Sequence, residues 1–151
     1  MAERAETVML YSDGACKGNP GPGGYGTILV YKGREKELSG GEALTTNNRM
    51  ELQGAIAGLK ALRYPCKVTV VSDSKYLVDG MTKGWAKSWR ARDWKKSDGK
   101  PALNPELWQE LLELCAVHSV SFQWMKGHAG HPYNERCDRL AVAEAEKHAR
   151  L

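Results

Sequence analysis

The first forty residues hold three strand-like runs joined by connections too short for a helix, whereas each later strand-like run is separated from the one before it by helical sequence. This order constrains the fold more than any other feature, because strands joined by short turns pair antiparallel and strands joined through helices need parallel crossovers. Residues 7–13 read as the first strand, GNPGPGG at 18–24 as a turn dense in Gly and Pro, and 25–32 with 34–40 as a hairpin turning at Gly33. A helix follows over about 47–63, where Leu52, Ile56, Leu59 and Leu62 recur at helical spacing. Asn48 and Glu51 read as a capping arrangement that puts Glu51 in the first turn, and Pro65 closes the segment. VTVV at 68–71 is a short, continuously apolar run typical of a buried strand. Residues 74–90 read as helix interrupted at Gly80 and Gly84. Pro105 opens another helix, whose apolar face is Leu107, Trp108, Leu111, Leu112 and Cys115. SVSFQWM at 119–125 is a fifth strand, GHAGHPYN a loop, and 134–149 a final helix rich in Ala. The expected fold is α/β: a mixed five-stranded sheet, three antiparallel leading strands and then parallel additions, with helices on both faces.

A single domain of 151 residues buries roughly 68 to 70% of its unfolded-chain surface, enough for a core without staples. No segment approaches the run of about 18 apolar residues that a membrane span requires, and MAERAETVML carries Glu3 and Glu6 in place of the basic and apolar blocks of a secretory signal. A cytoplasmic, monomeric protein is expected. Cys16, Cys66, Cys115 and Cys137 have no C-x-x-C spacing, so they read as reduced thiols rather than as a disulfide framework or a zinc ribbon.

Four carboxylates carry the chemistry. Asp13 ends TVMLYSD, Glu51 lies in TTNNRMEL, Asp73 ends KVTVVSD, and Asp138 lies in NERCDRLA. In the sheet described above, Asp13 and Asp73 are neighbours at strand ends, where α/β sheets place their ligands, and Glu51 and Asp138 complete the group from helices. Acids gathered in this way cannot all stay ionised without cations, and hard divalent metals prefer oxygen ligands. As isolated residues, Glu51 and Asp138 would equally suit helix amino ends.

Charge is segregated. Lys83, Lys87, Arg90, Arg92, Lys95, Lys96 and Lys100 face only Asp93 and Asp98 within 83–100, a net +5 in a chain of net +4. Trp85, Trp89 and Trp94 are interleaved with these cations. The pattern suits a phosphate backbone flanked by sugars and bases, and it equally suits a solvated amphipathic helix anchored by its tryptophans.

The strings SDGACKGNPGPGGYG, TTNNRMEL, VVSDSKY and KGHAGHPYNERCDRLA, in this order, resemble those of bacterial type 1 ribonuclease H. The resemblance runs along nearly the whole chain and implies one ribonuclease H-like catalytic domain over 1–151, with no separate hybrid-binding domain. It further implies cleavage of the RNA strand of RNA–DNA hybrids, with Asp13, Glu51, Asp73 and Asp138 as metal-binding carboxylates and His128 as the catalytic loop histidine. Cys16, Asn19, Asn47 and Asn48 match residues that contact the RNA minor groove, and Thr46 and Asn104 match residues that hold a DNA phosphate. Trp85 and Trp89, with Lys87, Arg90, Arg92, Lys95 and Lys96, match a basic protrusion that grips the DNA strand. The chain departs from the pattern at Leu44, where some members carry arginine, at Lys75, where a polar amide is more usual, and by one residue inserted near Lys83 and Gly84. These departures bear on affinity rather than on chemistry.

Phosphodiester hydrolysis needs an activated water on one side of phosphorus and charge stabilisation on the other. Two Mg²⁺ ions about 3.5 to 4 Å apart supply both, and Mn²⁺ is the expected substitute. In this reading Asp13 bridges the ions, Asp73 and Asp138 complete the water-activating site, and Glu51 the leaving-group site, giving 5′-phosphate and 3′-hydroxyl ends. His128 relays a proton near its ordinary pKa of about 6.5, while His131 is structural. The glycines of GNPGPGG both turn the chain and leave room for a nucleic-acid backbone.

Overall fold

The structure is a computed structural model and describes residues 7–127 and 130–150. In chain order the elements are β1 (Val8–Cys16), β2 (Gly21–Tyr31), β3 (Arg34–Thr45), α1 (Asn47–Lys60), β4 (Lys67–Ser72), α2 (Lys75–Thr82), α3 (Trp85–Ala91), α4 (Pro105–Val117), β5 (Ser119–Trp124) and α5 (Pro132–Ala149). Lys32 and Gly33 both have positive φ, 51° and 78°, the geometry of a two-residue mirror-image turn, and they lock Tyr31 opposite Arg34 in the β2–β3 hairpin. The sheet runs β3-β2-β1-β4-β5. β1 is antiparallel to β2 and parallel to β4, and β5 adds parallel to β4, as the connection lengths dictate.

Helices cover both faces. On one, Leu10 and Val70 of the sheet, Leu52 and Leu59 of α1, and Trp108 and Leu111 of α4 form the main core. On the other, α5 lays the buried, small Cys137, Ala141 and Ala145 along β2. Its amino end is tied across β3 by Arg136, which donates to Glu35 at 2.8 Å and to Glu37 at 2.6 Å. Among the described residues, no helix is long and apolar enough to cross a membrane.

Three local expectations are corrected. The segment 21–24 is strand, not turn: the reversal is confined to 17–20 and is closed by the Lys17 N–H, which donates to the Pro22 carbonyl of β2 at 2.8 Å. Within that motif Gly24 is buried beneath α5, where a Cβ would run into the Ala141 backbone, and a Cβ at nearby Gly26 would meet that of Cys137.

The α1 cap is Thr46, whose hydroxyl accepts the Arg49 N–H at 3.2 Å, while Asn19 Oδ1 takes the Asn47 N–H at 2.8 Å. With those first donors satisfied, the helix starts ahead of Asn48, and Glu51 lies beyond the first turn.

Gly80 does not interrupt a helix. It is buried within α2, where a Cβ would meet the Trp108 indole, and the break falls at Gly84, with φ of 76°.

Candidate functional site

The parallel pairing of β1 with β4 sets Tyr11 beside Val71. Two residues further along each chain come Asp13, where β1 outruns its pairing with β4 and continues along β2 to Cys16, and Asp73, just past the carboxyl end of β4. α1 approaches the same end closely, because Gly14 has no side chain: a Cβ there would stand 2.9 Å from the Glu51 amide nitrogen. Glu51 is thereby swung over the strand ends, and the carboxylate oxygens of Asp13, Glu51 and Asp73 lie within 4.8 Å of one another. Asp138 of α5 lines the same recess, of about 370 Å³, and stands close enough to Asp13 for its charge to act there.

Burial above all, then the charges of Asp73 and Asp138, push the Asp13 carboxyl up to about 8. Glu51 is held well above the ordinary range by burial and then by Asp13 and Asp73, and its Oε1 is buried without a hydrogen-bond partner. Crowded acids, one with an orphaned oxygen, fit a divalent cation with oxygen preference, and they lack the nitrogen and sulfur donors that would favour zinc.

His128 lies outside the described residues. Its neighbour Gly127 packs directly on the Asp73 side chain, leaving no room for a Cβ, so this loop departs from the acid cluster itself. His131 caps α5 with its ring 5.5 Å from Tyr11, and its Nδ1 is buried.

The small polar candidates gather at the same end of the sheet. Asn47 and Asn48 line the recess, and Asn19 is tied to α1 through the Asn47 N–H. Thr46 is the α1 cap, and the Cys16 thiol donates to the Thr45 carbonyl at 3.3 Å. Asn104 is joined to them indirectly. Its side chain accepts from Arg49 at 3.3 Å and donates to the Tyr76 hydroxyl at 3.1 Å. Leu44 is 73% exposed, so that position offers a phosphate no cation.

No residue of the basic segment lines the recess, and its tryptophans divide between core and surface. Trp89 and Trp94 pack on the core, Trp89 edge-on to Trp108 at 6.0 Å. Trp85 is 40% exposed, and Lys87, Arg90, Arg92, Lys95 and Lys96 are all exposed.

Two supporting residues carry little sequence signal. The Tyr76 hydroxyl also receives the Trp108 indole N–H at 3.0 Å, and Trp124 donates to the Asp73 main-chain carbonyl at 3.0 Å. Only their places beside the two strand-end motifs hint at these roles.

The profile of the RNase H family matches residues 5–146. Ribonuclease H of Rippkaea orientalis is 56% identical over 147 residues, covering 97% of this chain and 90% of that protein. Ribonuclease HI of Synechocystis sp. is 53% identical over 152 residues, covering 100% and 95% respectively. Among solved structures, LC9-RNase H1, described as a type 1 RNase H with the type 2 active-site motif, superposes with a TM-score of 0.83 at 34% identity, covering 98% of this chain and 76% of that one.

Proposed function

Because the chain belongs to the bacterial type 1 ribonuclease H family, we propose that it is an endonuclease hydrolysing the RNA strand of RNA–DNA hybrids. The observation that carries this reading is the cluster of Asp13, Glu51 and Asp73, with carboxylate oxygens within 4.8 Å at the sheet end where Asn47 and Asn48 are also placed.

Asp13, which the charges of both Asp73 and Asp138 reach, would be a ligand common to two ions, with Asp73 and Asp138 serving the water-activating one and Glu51 the leaving-group one. When bound, two Mg²⁺, or Mn²⁺ in their place, supply an activated water and charge stabilisation at the leaving oxygen. The protein's own part is to fix the acids on rigid strand and helix backbone and to orient the scissile phosphate. His128, next in sequence to the Gly127 that packs on Asp73, takes or returns a proton. Water oxygen bonds to phosphorus, the P–O3′ bond breaks and O3′ gains a proton, leaving 5′-phosphate and 3′-hydroxyl ends.

Short polar groups at Cys16, Asn19, Asn47 and Asn48 suit the 2′-hydroxyls that mark an RNA strand. Thr46 and Asn104, with the exposed cations around Trp85 and Trp89, suit the partner DNA strand. The free thiols of all four cysteines support a reducing, cytoplasmic setting, and we take the working form to be a monomer.

The test is cleavage of end-labelled RNA–DNA, RNA–RNA and DNA–DNA duplexes in Mg²⁺ or chelator, by the native chain and by Asp73→Asn. The reading requires cutting of the hybrid's RNA strand alone, only with metal, and a folded but inactive variant. A hybrid bound but never cut would reduce the protein to a binding module, and DNA cleavage would overturn the substrate assignment.

A further inference from the structure

Helix α5 carries Asp138 into the acid recess, yet the surface on which it rests does little to fix its position along its own axis. Where it crosses β2 it lays Cys137 and Ala141 against Gly26 and Gly24. Small side chains on glycine set how closely helix and strand approach, but they interdigitate little, so a shift along the axis meets little steric resistance.

Polar bonds supply what packing lacks. Glu35, Glu37 and Ser39 alternate along the edge strand β3 and so share a face, and each meets α5. Glu35 holds the most: one carboxylate oxygen accepts the Tyr133 hydroxyl at 2.7 Å, and the other accepts from Arg136 at 2.8 Å. Glu37 takes a second Arg136 N–H at 2.6 Å, and Ser39 donates to Glu144 at 2.9 Å. Tyr133 is also held from β1, its ring stacked on that of Tyr11 with centroids 4.6 Å apart and planes at 18°. Tyr11 and Asp13 alternate along β1 and share its face. Tyr133 and Arg136 are neighbours on one side of the first turn of α5, so a single carboxylate holding both fixes rotation and axial position together. Exposed ion pairs of this kind contribute little to stability; their consequence lies in geometry. A slip of α5 by one residue's rise would carry Asp138 about 1.5 Å along the axis, and a displacement of about 1 Å at a reacting centre costs up to roughly 10²-fold in rate.

We propose that Glu35 is a positioning residue for the hydrolytic centre, holding Tyr133 and Arg136 so that α5 keeps the axial register that sets Asp138 beside Asp13. This deepens the reading above and rests on it. Glu35 touches neither substrate nor metal and acts only through the helix.

The experiment compares native protein, Glu35→Ala, Tyr133→Phe and the double variant. Steady-state cleavage of an RNA–DNA hybrid is measured against Mg²⁺ concentration well below the melting transition. Melting temperatures are recorded in chelator, and the Asp138 backbone amide is followed by NMR through a Mg²⁺ titration without substrate. Glu35→Ala should lower kcat about 10-fold and leave KM for the hybrid within about twofold. It should raise the Mg²⁺ midpoint, read both by activity and by the Asp138 amide, by about 10-fold, while the melting temperature falls by no more than about 4 °C. Tyr133→Phe keeps the stack and loses only the hydroxyl, so kcat and midpoint should move the same way by about 2- to 3-fold. The double variant should be no worse than Glu35→Ala, because the hydroxyl acts through that carboxylate. A lower melting temperature with kcat and midpoint unchanged would make Glu35 structural only and overturn the proposal. So would a rise in KM alone, a loss of kcat at an unchanged midpoint, or additive losses in the double variant. If the native protein cleaves nothing, the hydrolytic reading fails, while a raised Asp138 midpoint in Glu35→Ala would still uphold the positioning.

Discussion

At the scale of single residues, the acid cluster works against the fold that holds it. Asp13 holds its proton up to about 8, first because it is buried and then because Asp73 and Asp138 crowd it; in the unfolded chain it titrates near 3.8. Between those values the native state binds the proton that the unfolded state has released, so stability falls as pH rises across the window and is fully present only below it. In chelator, the melting temperature should therefore drop from pH 5 to pH 8, and Mg²⁺ should restore it most strongly at pH 8. Asp13→Asn should flatten the chelator profile, stabilise the metal-free protein at pH 8 by about 1 kcal/mol and reduce cleavage to background. Calorimetry over pH, with and without Mg²⁺, checks all three; a flat native profile in chelator would mean that the acids do not repel one another as placed. The acids were legible in the sequence through their motifs; Asp73 does follow the end of a recognisable strand, whereas β1 runs on past Asp13 to Cys16 along β2. The position of Glu51 within its helix was not legible, since Thr46 and Asn48 are equally good capping residues. The Thr46 hydroxyl on the Arg49 N–H and the tertiary bond from the Asn47 N–H to Asn19 together show where the helix begins.

Elements meet through glycine. Gly24 and Gly26 let α5 lie directly on β2, and the helix answers with small residues, Cys137, Ala141 and Ala145, each buried. Gly26→Ala should cost about 1 to 3 kcal/mol, as overpacking does, because its Cβ would enter the Cys137 backbone. The helix it displaces also carries Asp138. Urea unfolding and kcat measured on the folded variant should therefore decline together. By contrast, Gly33 has open space around it and only a positive φ to satisfy. Gly33→Asn, a residue that tolerates that region, should leave kcat unchanged and cost less than about 1 kcal/mol. The local sequence could not separate these cases. Gly with Pro signals a turn wherever it occurs, and the information that made 21–24 a strand lies over a hundred residues away, in the small-residue stripe of α5. Gly80 is the same lesson in a helix, its space filled by Trp108. The hairpin at Gly33 was readable because its requirement is local.

Across the whole molecule, charge is segregated: an acid recess at the sheet end, and a segment of net +5 in a chain of net +4. Connection lengths made the antiparallel and parallel senses of the strands legible, but not their order in the sheet, nor which tryptophans of the basic segment belong to the core. Trp89 lies edge-on to Trp108, whereas Trp85 is 40% exposed with the Lys83 ammonium 5.6 Å from its ring centroid. The two should therefore fail differently. Trp89→Ala should destabilise by about 2 to 4 kcal/mol, toward the range for buried aromatic truncations. Trp85→Ala should leave the melting temperature nearly unchanged and raise KM, because an aromatic face stacked on a base or sugar contributes about 1 to 3 kcal/mol of binding. Neutralising Lys87, Arg90 and Lys96 together should leave stability within about 0.5 kcal/mol per site. It should also flatten the slope of log kcat/KM against log salt by up to about 2.7, at about 0.9 per contact. With substrate saturating, kcat should hold, because none of these cations lines the acid recess. A triple variant with the native salt slope would remove the segment from the binding surface and leave its tryptophans as anchors only.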